Sequence, residues 1–320
     1  MDKIKSPSNG EKILDDLLKG RYQKERKIDK SEINSKTLVM LKEVIINAVN
    51  SKSKVLWLDI GCGDGRCLEI LEVFNGKNPK KTLAKIRYLG LDSSSEFKSR
   101  TEELIKKYNI IGECKKAEAS KLRLKDKYDV ISMILVLHEM DPLEIPIIFK
   151  NAIKMLKEDG RLIISDFNDP YEPEKNILIW KEKEILNIIN YTGGLIAKSE
   201  LSNAERVPNV KFYNIDVRKF NVAKGQFKCL MNDYDKILKL KSLDLITEYR
   251  QIEDHLINKI YTIMEKKVTI KNLSHDDRSF ILSKFTDDDF ALYDRKELIK
   301  EQHMLIDEKR FELEKIISKH

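Results

Sequence analysis

No stretch of about 18 consecutive apolar residues occurs in this 320-residue chain, so no membrane-spanning helix is expected. The opening MDKIKSPSNGEK has no apolar core of the kind a secretory signal carries. Cysteine is sparse. Cys62, Cys67, Cys114 and Cys229 include no CxxC pair and show no metal-ligand spacing, so they read as reduced thiols of a cytoplasmic protein with no metal site. Clustered basic charge is missing too. The chain carries a net +7, yet its lysines are interleaved with Asp and Glu throughout, without the arginine and aromatic clustering of a nucleic-acid face. A small-molecule partner is therefore expected ahead of nucleic acid.

What is present suffices for a folded core. Hydrophobic residues make up 41% of the chain, and a charged content of 35% predicts long solvated helices. The most informative stretch is VLWLDIGCGDGRCLEILE, Val55 to Glu72. Val55–Leu58 has strand character, Asp59 ends it, Gly61, Gly63 and Gly65 alternate, and Leu68, Ile70 and Leu71 begin a helical face. A strand, a glycine turn and a helix form the unit that holds nucleotide-like ligands at a strand's carboxyl end. A dinucleotide fingerprint would require glycine at 66, where this chain has Arg66. Instead it has G-x-G-x-G with a carboxylate two residues ahead. The same residues would also serve as a generic glycine turn.

This pattern resembles motif I of the class I S-adenosylmethionine-dependent methyltransferases, and later segments extend the resemblance over residues 30–222. Ile86–Leu91 is a second strand ending in Asp92, followed by Ser93-Ser94-Ser95. An acid there suits the two hydroxyls of a ribose, though it would equally cap a helix. Residues 113–119 form a polar third strand ending in Glu118-Ala119, which by position matches the family's adenine contact or is simply surface. Tyr128–Leu137 is a near-continuous apolar run, as a central parallel strand requires, and leads to His138-Glu139. Met155–Asp166 leads into a fifth strand, with Gly194–Leu201 and Asn209–Phe220 as a closing hairpin.

The resemblance implies an α/β fold: a doubly wound, mostly parallel Rossmann-like sheet with helices on both faces. N-terminal helices (residues 1–50) would cover it and a helical extension (residues 223–320) would follow, with the ligand domain at 51–222. In the N-terminal part, Glu11–Tyr22 and a helix starting near Ser31, with Leu38, Leu41, Val44, Ile45 and Ala48 inward, are amphipathic. In the extension, Leu245, Tyr249, Ile252, Leu256 and Ile260 keep helical spacing, and Leu292, Ile299, Ile306 and Leu313 recur every seven residues. Arg295, Gln302 and Lys309 interrupt a coiled-coil seam. The extension suits a bundle packed on the ligand domain, an arm for homodimerisation, or a platform for a macromolecule.

The implied ligand is S-adenosylmethionine, leaving as S-adenosylhomocysteine. Asp59 and the turn Gly61, Cys62, Gly63 and Asp64 would hold its methionine end, Asp92 and Ser93 its ribose, and Glu118, Ala119 and Ile134 its adenine. By the same resemblance His138 lies where an acceptor would approach and can take a proton near neutral pH; the alternative is a structural role at the strand exit. Glu139, Asp141 and Asp166 are the other candidate bases. Asn168-Asp169-Pro170-Tyr171 follows strand five rather than strand four and lacks a second proline, which speaks against the subgroup that methylates amino groups of bases or glutamine. Ser274 with Asp277 reads as a helix cap, and the neighbouring His275 not as a metal ligand. The expected function is methyl transfer to an unidentified acceptor, a small molecule ahead of RNA or protein. The alternatives are aminopropyl transfer, using Glu139 with Asp141, and a non-catalytic scaffold.

Overall fold

The structure, a computed structural model, describes residues 30–74, 79–122, 126–169, 177–205, 210–219, 227–263, 280–281 and 283–318. The amphipathic stretch 11–22, the Ser274 cap with His275, and Pro170-Tyr171 lie outside the described residues. Two helices lead, α1 (Lys30–Thr37) and α2 (Val39–Ser51), split at Leu38 where the sequence suggested one. Then follow β1 (Val55–Ile60), a run of 3-10 turns (Arg66–Phe74), α3 (Pro79–Leu83), β2 (Ile86–Asp92), α4 (Lys98–Lys107) and β3 (Ile111–Lys116). Next come β4 (Tyr128–Ile134), a short 3-10 turn (Leu137–Glu139), α5 (Ile145–Met155), β5 (Leu156–Asp169) and α6 (Glu182–Thr192). The chain continues through β6 (Gly194–Asn203), β7 (Lys211–Lys219), α7 (Phe227–Ile263) and α8 (Asp287–Ser318).

The seven strands lie in the order β3-β2-β1-β4-β5-β7-β6. Five run parallel, and β7 runs antiparallel to both β5 and β6. The order therefore reverses between β1 and β4, and a crevice opens at the carboxyl ends of strands at such a reversal. β4 is buried along its whole length, the mark of a strand covered on both faces. On one face, Leu41, Ile45 and Val49 of α2 pack with Trp57, Tyr88, Val130 and Ile163 of the sheet and with Leu68 and Leu71 of the 3-10 run. On the other, a Cβ placed on Gly194 would meet Ile189 of α6, Ile153 of α5 and Val217 of β7 within 3.2 Å.

Contacts divide the chain into two compact units. The first takes residues 30–169, 177–237 and 309–318, so the opening turns of α7 belong with the sheet, and the Tyr234 hydroxyl donates to the Pro142 carbonyl. The second comprises residues 238–263, 280–281 and 283–308. Within it, α7 and α8 run antiparallel, since Glu248 pairs with Arg295, Glu253 with Lys296, and Lys259 with Asp289. Their shared core buries Leu245, Tyr249, Ile252, Leu256 and Ile260 against Phe290, Tyr293 and Ile299. Among the described residues, no helix is long and apolar enough to cross a membrane.

One ionic knot fixes the amino end of the central strand. The carboxylate of Asp129 is buried and accepts from the Lys52 ammonium at 2.6 Å, the Lys157 ammonium at 2.7 Å and the Leu56 N–H at 2.8 Å. Burial alone would raise its pKa, but the Leu56 N–H and the two ammoniums outweigh that and hold it below the usual carboxylate range. With a depressed folded-state pKa, its contribution is present above the unfolded value of about 3.9 and is lost as pH falls through the folded one. Replacing Asp129 with Ala should cost roughly 2–3 kcal/mol at pH 7, because a buried pair loses its anion and an N–H its acceptor. Urea unfolding should show the gap between wild type and Asp129→Ala narrowing as pH falls below about 4.

Candidate active site

The turn after β1 is built around its glycines. Gly61, Gly63 and Gly65 all take positive φ, at 69°, 47° and 84°. A Cβ on Gly61 would sit 2.2 Å from Val136 Cγ2, so the exit of β4 lies directly on this turn. A Cβ on Gly63 would meet nothing within 4 Å. Gly63 therefore leaves its outer side open for a ligand to lie against backbone. Thr101 of α4 donates to the Gly63 carbonyl at 2.8 Å and holds the turn from outside. Beyond the turn, the Leu68 N–H bonds the Gly65 carbonyl, and the stretch Arg66–Phe74 winds as 3-10 turns rather than as the α-helix the sequence suggests. The tighter winding brings the Cys67 thiol within hydrogen-bond reach of Asp59.

Asp59 lies beneath the turn, fully buried. Ser132 of β4 donates to its Oδ1 at 2.5 Å and Tyr88 of β2 to its Oδ2 at 2.8 Å. The Trp57 indole N–H in turn donates to the Ser132 hydroxyl at 2.8 Å. Burial is the main cause that pushes the Asp59 carboxyl up to about 6, against the pull of these donors. A shift of that size corresponds to about 3 kcal/mol of unfavourable solvation for the charged form. Asp59 is thus held below the turn, and the residues that fix it, Tyr88, Ser132 and Cys67, carried no sequence signal.

Asp92 stands at the tip of the neighbouring strand, partly exposed. Its Oδ2 accepts the Gly63 N–H at 2.9 Å and its Oδ1 the Ser94 N–H at 2.8 Å. The acid after β2 is thereby clamped to the turn after β1, each oxygen keeping a lone pair. Ser93 is exposed beside it. Asp64 is half-buried, 3.7 Å from Arg100. Cys62 is buried with its sulfur 3.6 Å from that of Cys114, and burial, together with the Asp59 charge, pushes its thiol well up. Glu118 is exposed, paired with Lys121, just past β3, whose end is tied to β2 by the Ala117 N–H on the Asp92 carbonyl. Ala119 is half-buried and Ile134 is buried at the end of β4.

The exit of β4 carries the remaining candidates. Leu135 adopts φ 54°, a left-handed conformation that costs a branched side chain about 1–2 kcal/mol. The chain then turns so that His138 is buried with Nδ1 2.6 Å from Asp166 Oδ1 on β5. Glu139 is exposed, with Oε1 3.7 Å from His138 Nε2. Asp141 accepts the Leu143 N–H at 2.9 Å and pairs with Lys309 of α8, also at 2.9 Å. The structure gathers Asp59, the glycine turn and Asp92 at adjoining strand tips, and joins His138 to Asp166. It ties Asp141 instead to a lysine far along the chain. Among the described residues, no group of three or more His, Cys, Asp or Glu is placed to hold a metal.

Residues 31–193 match a family model described as a methyltransferase domain. No curated protein matches the sequence. Solved structures align with this chain at low identity. An S-adenosylmethionine-dependent methyltransferase from Clostridium acetobutylicum aligns at 15% identity over 66% of this chain and 98% of its own, with TM-score 0.44. The 1,6-didemethyltoxoflavin-N1-methyltransferase of Burkholderia thailandensis aligns at 14% over 69% of this chain and 93% of its own, with TM-score 0.45. The magnesium protoporphyrin IX methyltransferase of Synechocystis aligns at 15% over 66% of this chain and 94% of its own, with TM-score 0.41.

Two measurements test this geometry. The Asp59 pKa is raised in the folded state, so between about pH 4 and 6 the folded chain binds more protons than the unfolded one, and stability falls as pH rises. Urea unfolding should therefore show wild type losing up to about 3 kcal/mol relative to Asp59→Asn between pH 4 and 7. Gly61→Ala should lose about 3 kcal/mol, combining overpacking with a left-handed φ, whereas Gly63→Ala should lose only about 1 kcal/mol. Equal losses would refute the assignment of open space to Gly63 alone.

Proposed function

The chain belongs to the methyltransferase-domain family, and from that premise we propose that it methylates a small-molecule acceptor in the cytoplasm. The family's methyl donor, S-adenosylmethionine, supplies when bound a methyl group already activated on a sulfonium. The protein's part is then to position the partners and exclude water.

One observation carries the reading: the Asp92 carboxylate is locked to the Gly63 N–H beside an open glycine. A carboxylate fixed by backbone donors, with lone pairs to spare, is suited to two vicinal hydroxyls of a nucleoside. The turn's open face admits the chain of the same ligand, and the buried Asp59 places negative charge under a cationic centre. In this reading Glu118 and Ile134 flank the adenine. The residues present thus suit the donor. The choice of a small acceptor is supported by His138-Glu139-Met140-Asp141-Pro142 at the exit of β4, in place of a base-binding signature.

A second reading draws on the helical unit, where Leu240, Leu243 and Met304 stand about 60% exposed. Large apolar side chains in water suit an interface, here between two copies of the chain. Sedimentation of the full chain, with Leu243→Glu as the control, decides whether it exists.

Calorimetry with S-adenosylhomocysteine should show binding, weakened 10- to 100-fold by Asp92→Ala, as expected for lost hydrogen bonds to a charged group. Labelled methyl groups should enter the low-molecular-mass fraction of an extract. Label confined to RNA or protein would overturn the small-molecule reading, and an absence of binding would overturn the proposal as a whole.

A further inference from the structure

The exit of β4 holds more order than a strand end needs. Asp166 is buried on β5, and its two oxygens receive four donors. Oδ2 takes the Leu137 N–H at 2.7 Å and the His138 N–H at 3.3 Å. Oδ1 takes the Phe167 N–H at 2.7 Å and faces His138 Nδ1 at 2.6 Å. A carboxylate so placed only accepts, so the ring nitrogen opposite it must be the donor. The neutral imidazole then carries its proton on Nδ1, and its basic lone pair is on Nε2. That nitrogen lies 3.7 Å from the carboxylate of exposed Glu139. The Phe167 ring packs edge-on against the imidazole at 5.2 Å, and the Leu178 N–H holds the His138 carbonyl at 3.0 Å, so ring and backbone are both fixed.

We propose that His138 Nε2 is the general base of the reaction, that Asp166 is the residue positioning it, and that the acceptor is accordingly a protic O–H or N–H compound. This rests on the methyltransferase reading above. The balance is simple. The bond between methyl and sulfur breaks with its electron pair left on sulfur, the acceptor's oxygen or nitrogen bonds the methyl carbon, and its proton passes to His138 Nε2 and on to water. A carboxylate or thiolate acceptor has no proton to lose and would leave an oriented imidazole without a task. A base held in one tautomer is effective because no reorientation precedes proton transfer. Titratable groups that face the pair include Glu139 on the same turn and Tyr213 of β7, which lies opposite Asp166 in the strand register. Tyr213 is buried and pushed well up, first by burial and then by the charges of Asp166, Glu184 and Glu182. It stays neutral across the working range.

The test reads the imidazole directly. Long-range proton–nitrogen NMR of histidine-labelled protein should show neutral His138 protonated on Nδ1 with Nε2 bare. In Asp166→Asn the amide can present N–H to the ring, so the Nε2-protonated form should become populated and the imidazole should titrate at lower pH. Methyl transfer should fall at least 100-fold in Asp166→Asn and in His138→Gln, while S-adenosylhomocysteine affinity stays within threefold of wild type. Products should keep their label in mild alkali, as ethers and N-methyl groups do. A wild-type proton on Nε2, an unchanged tautomer in Asp166→Asn, a His138→Gln enzyme as fast as wild type, or label released by alkali as methanol would each overturn the inference. Absence of S-adenosylhomocysteine binding in wild type would overturn the methyltransferase reading instead, and the NMR result would still decide the tautomer.

Discussion

The ligand end of this fold is organised by a charge kept out of water. Asp59 gathers hydrogen bonds from β2 through Tyr88, from β4 through Ser132 and from the turn that follows its own strand through Cys67. Three segments, two of them distant in sequence, are tied to one carboxylate at the point where the strand order reverses. A buried anion is costly, and removing any of its partners leaves the rest unbalanced. The network is therefore best understood as a device for precision: it fixes the heights of neighbouring strand tips, and the glycine turn rests on top of it. The amino end of the neighbouring strand uses the same physics with the opposite outcome, since Asp129 meets two ammoniums and gains from ionisation what Asp59 loses.

The local part of this arrangement is legible in the sequence. Alternating glycines after an apolar run ending in acid, and a second run ending in Asp92, are patterns a few residues long, and their geometry follows from backbone sterics alone. The sheet is legible for the same reason, because buried parallel strands such as Tyr128–Ile134 must be apolar throughout. What escapes is the pairing of side chains across long separations. Tyr88 and Ser132 stand 29 and 73 residues from Asp59, and Asp166 stands 28 from His138. No periodicity connects them. Asp141 shows the converse: its position beside His138 suggests chemistry, yet it pairs with Lys309, 168 residues on. The split between α1 and α2 and the 3-10 winding after Gly65 also escape, because each is decided by packing rather than by helical propensity.

The helical unit follows a different logic. Its lysines and glutamates read as solvated faces, and most are. Lys296 is not: it is buried with its ammonium over the rings of Tyr249 and Tyr293, 5.2 and 5.9 Å from their centres, and 3.7 Å from Glu253. An aromatic pair and one carboxylate together replace much of the water a lysine gives up. The interrupted heptad positions Arg295 and Gln302 are explained similarly. Arg295 meets Glu248 at 2.6 Å, and Gln302 is buried, so polar residues occupy places a coiled coil would give to leucine.

The contact between Gly61 and Val136 constrains how relatives of this chain can diverge. With 2.2 Å between a notional Cβ at one site and a methyl carbon at the other, the two positions share a single volume. Bulk can be added on the turn only after bulk is removed from the strand exit, and never in the reverse order. Descendants that enlarge residue 136 keep glycine at 61 as a condition of folding. Change at the strand exit is thereby confined to side chains that point away from the glycine turn.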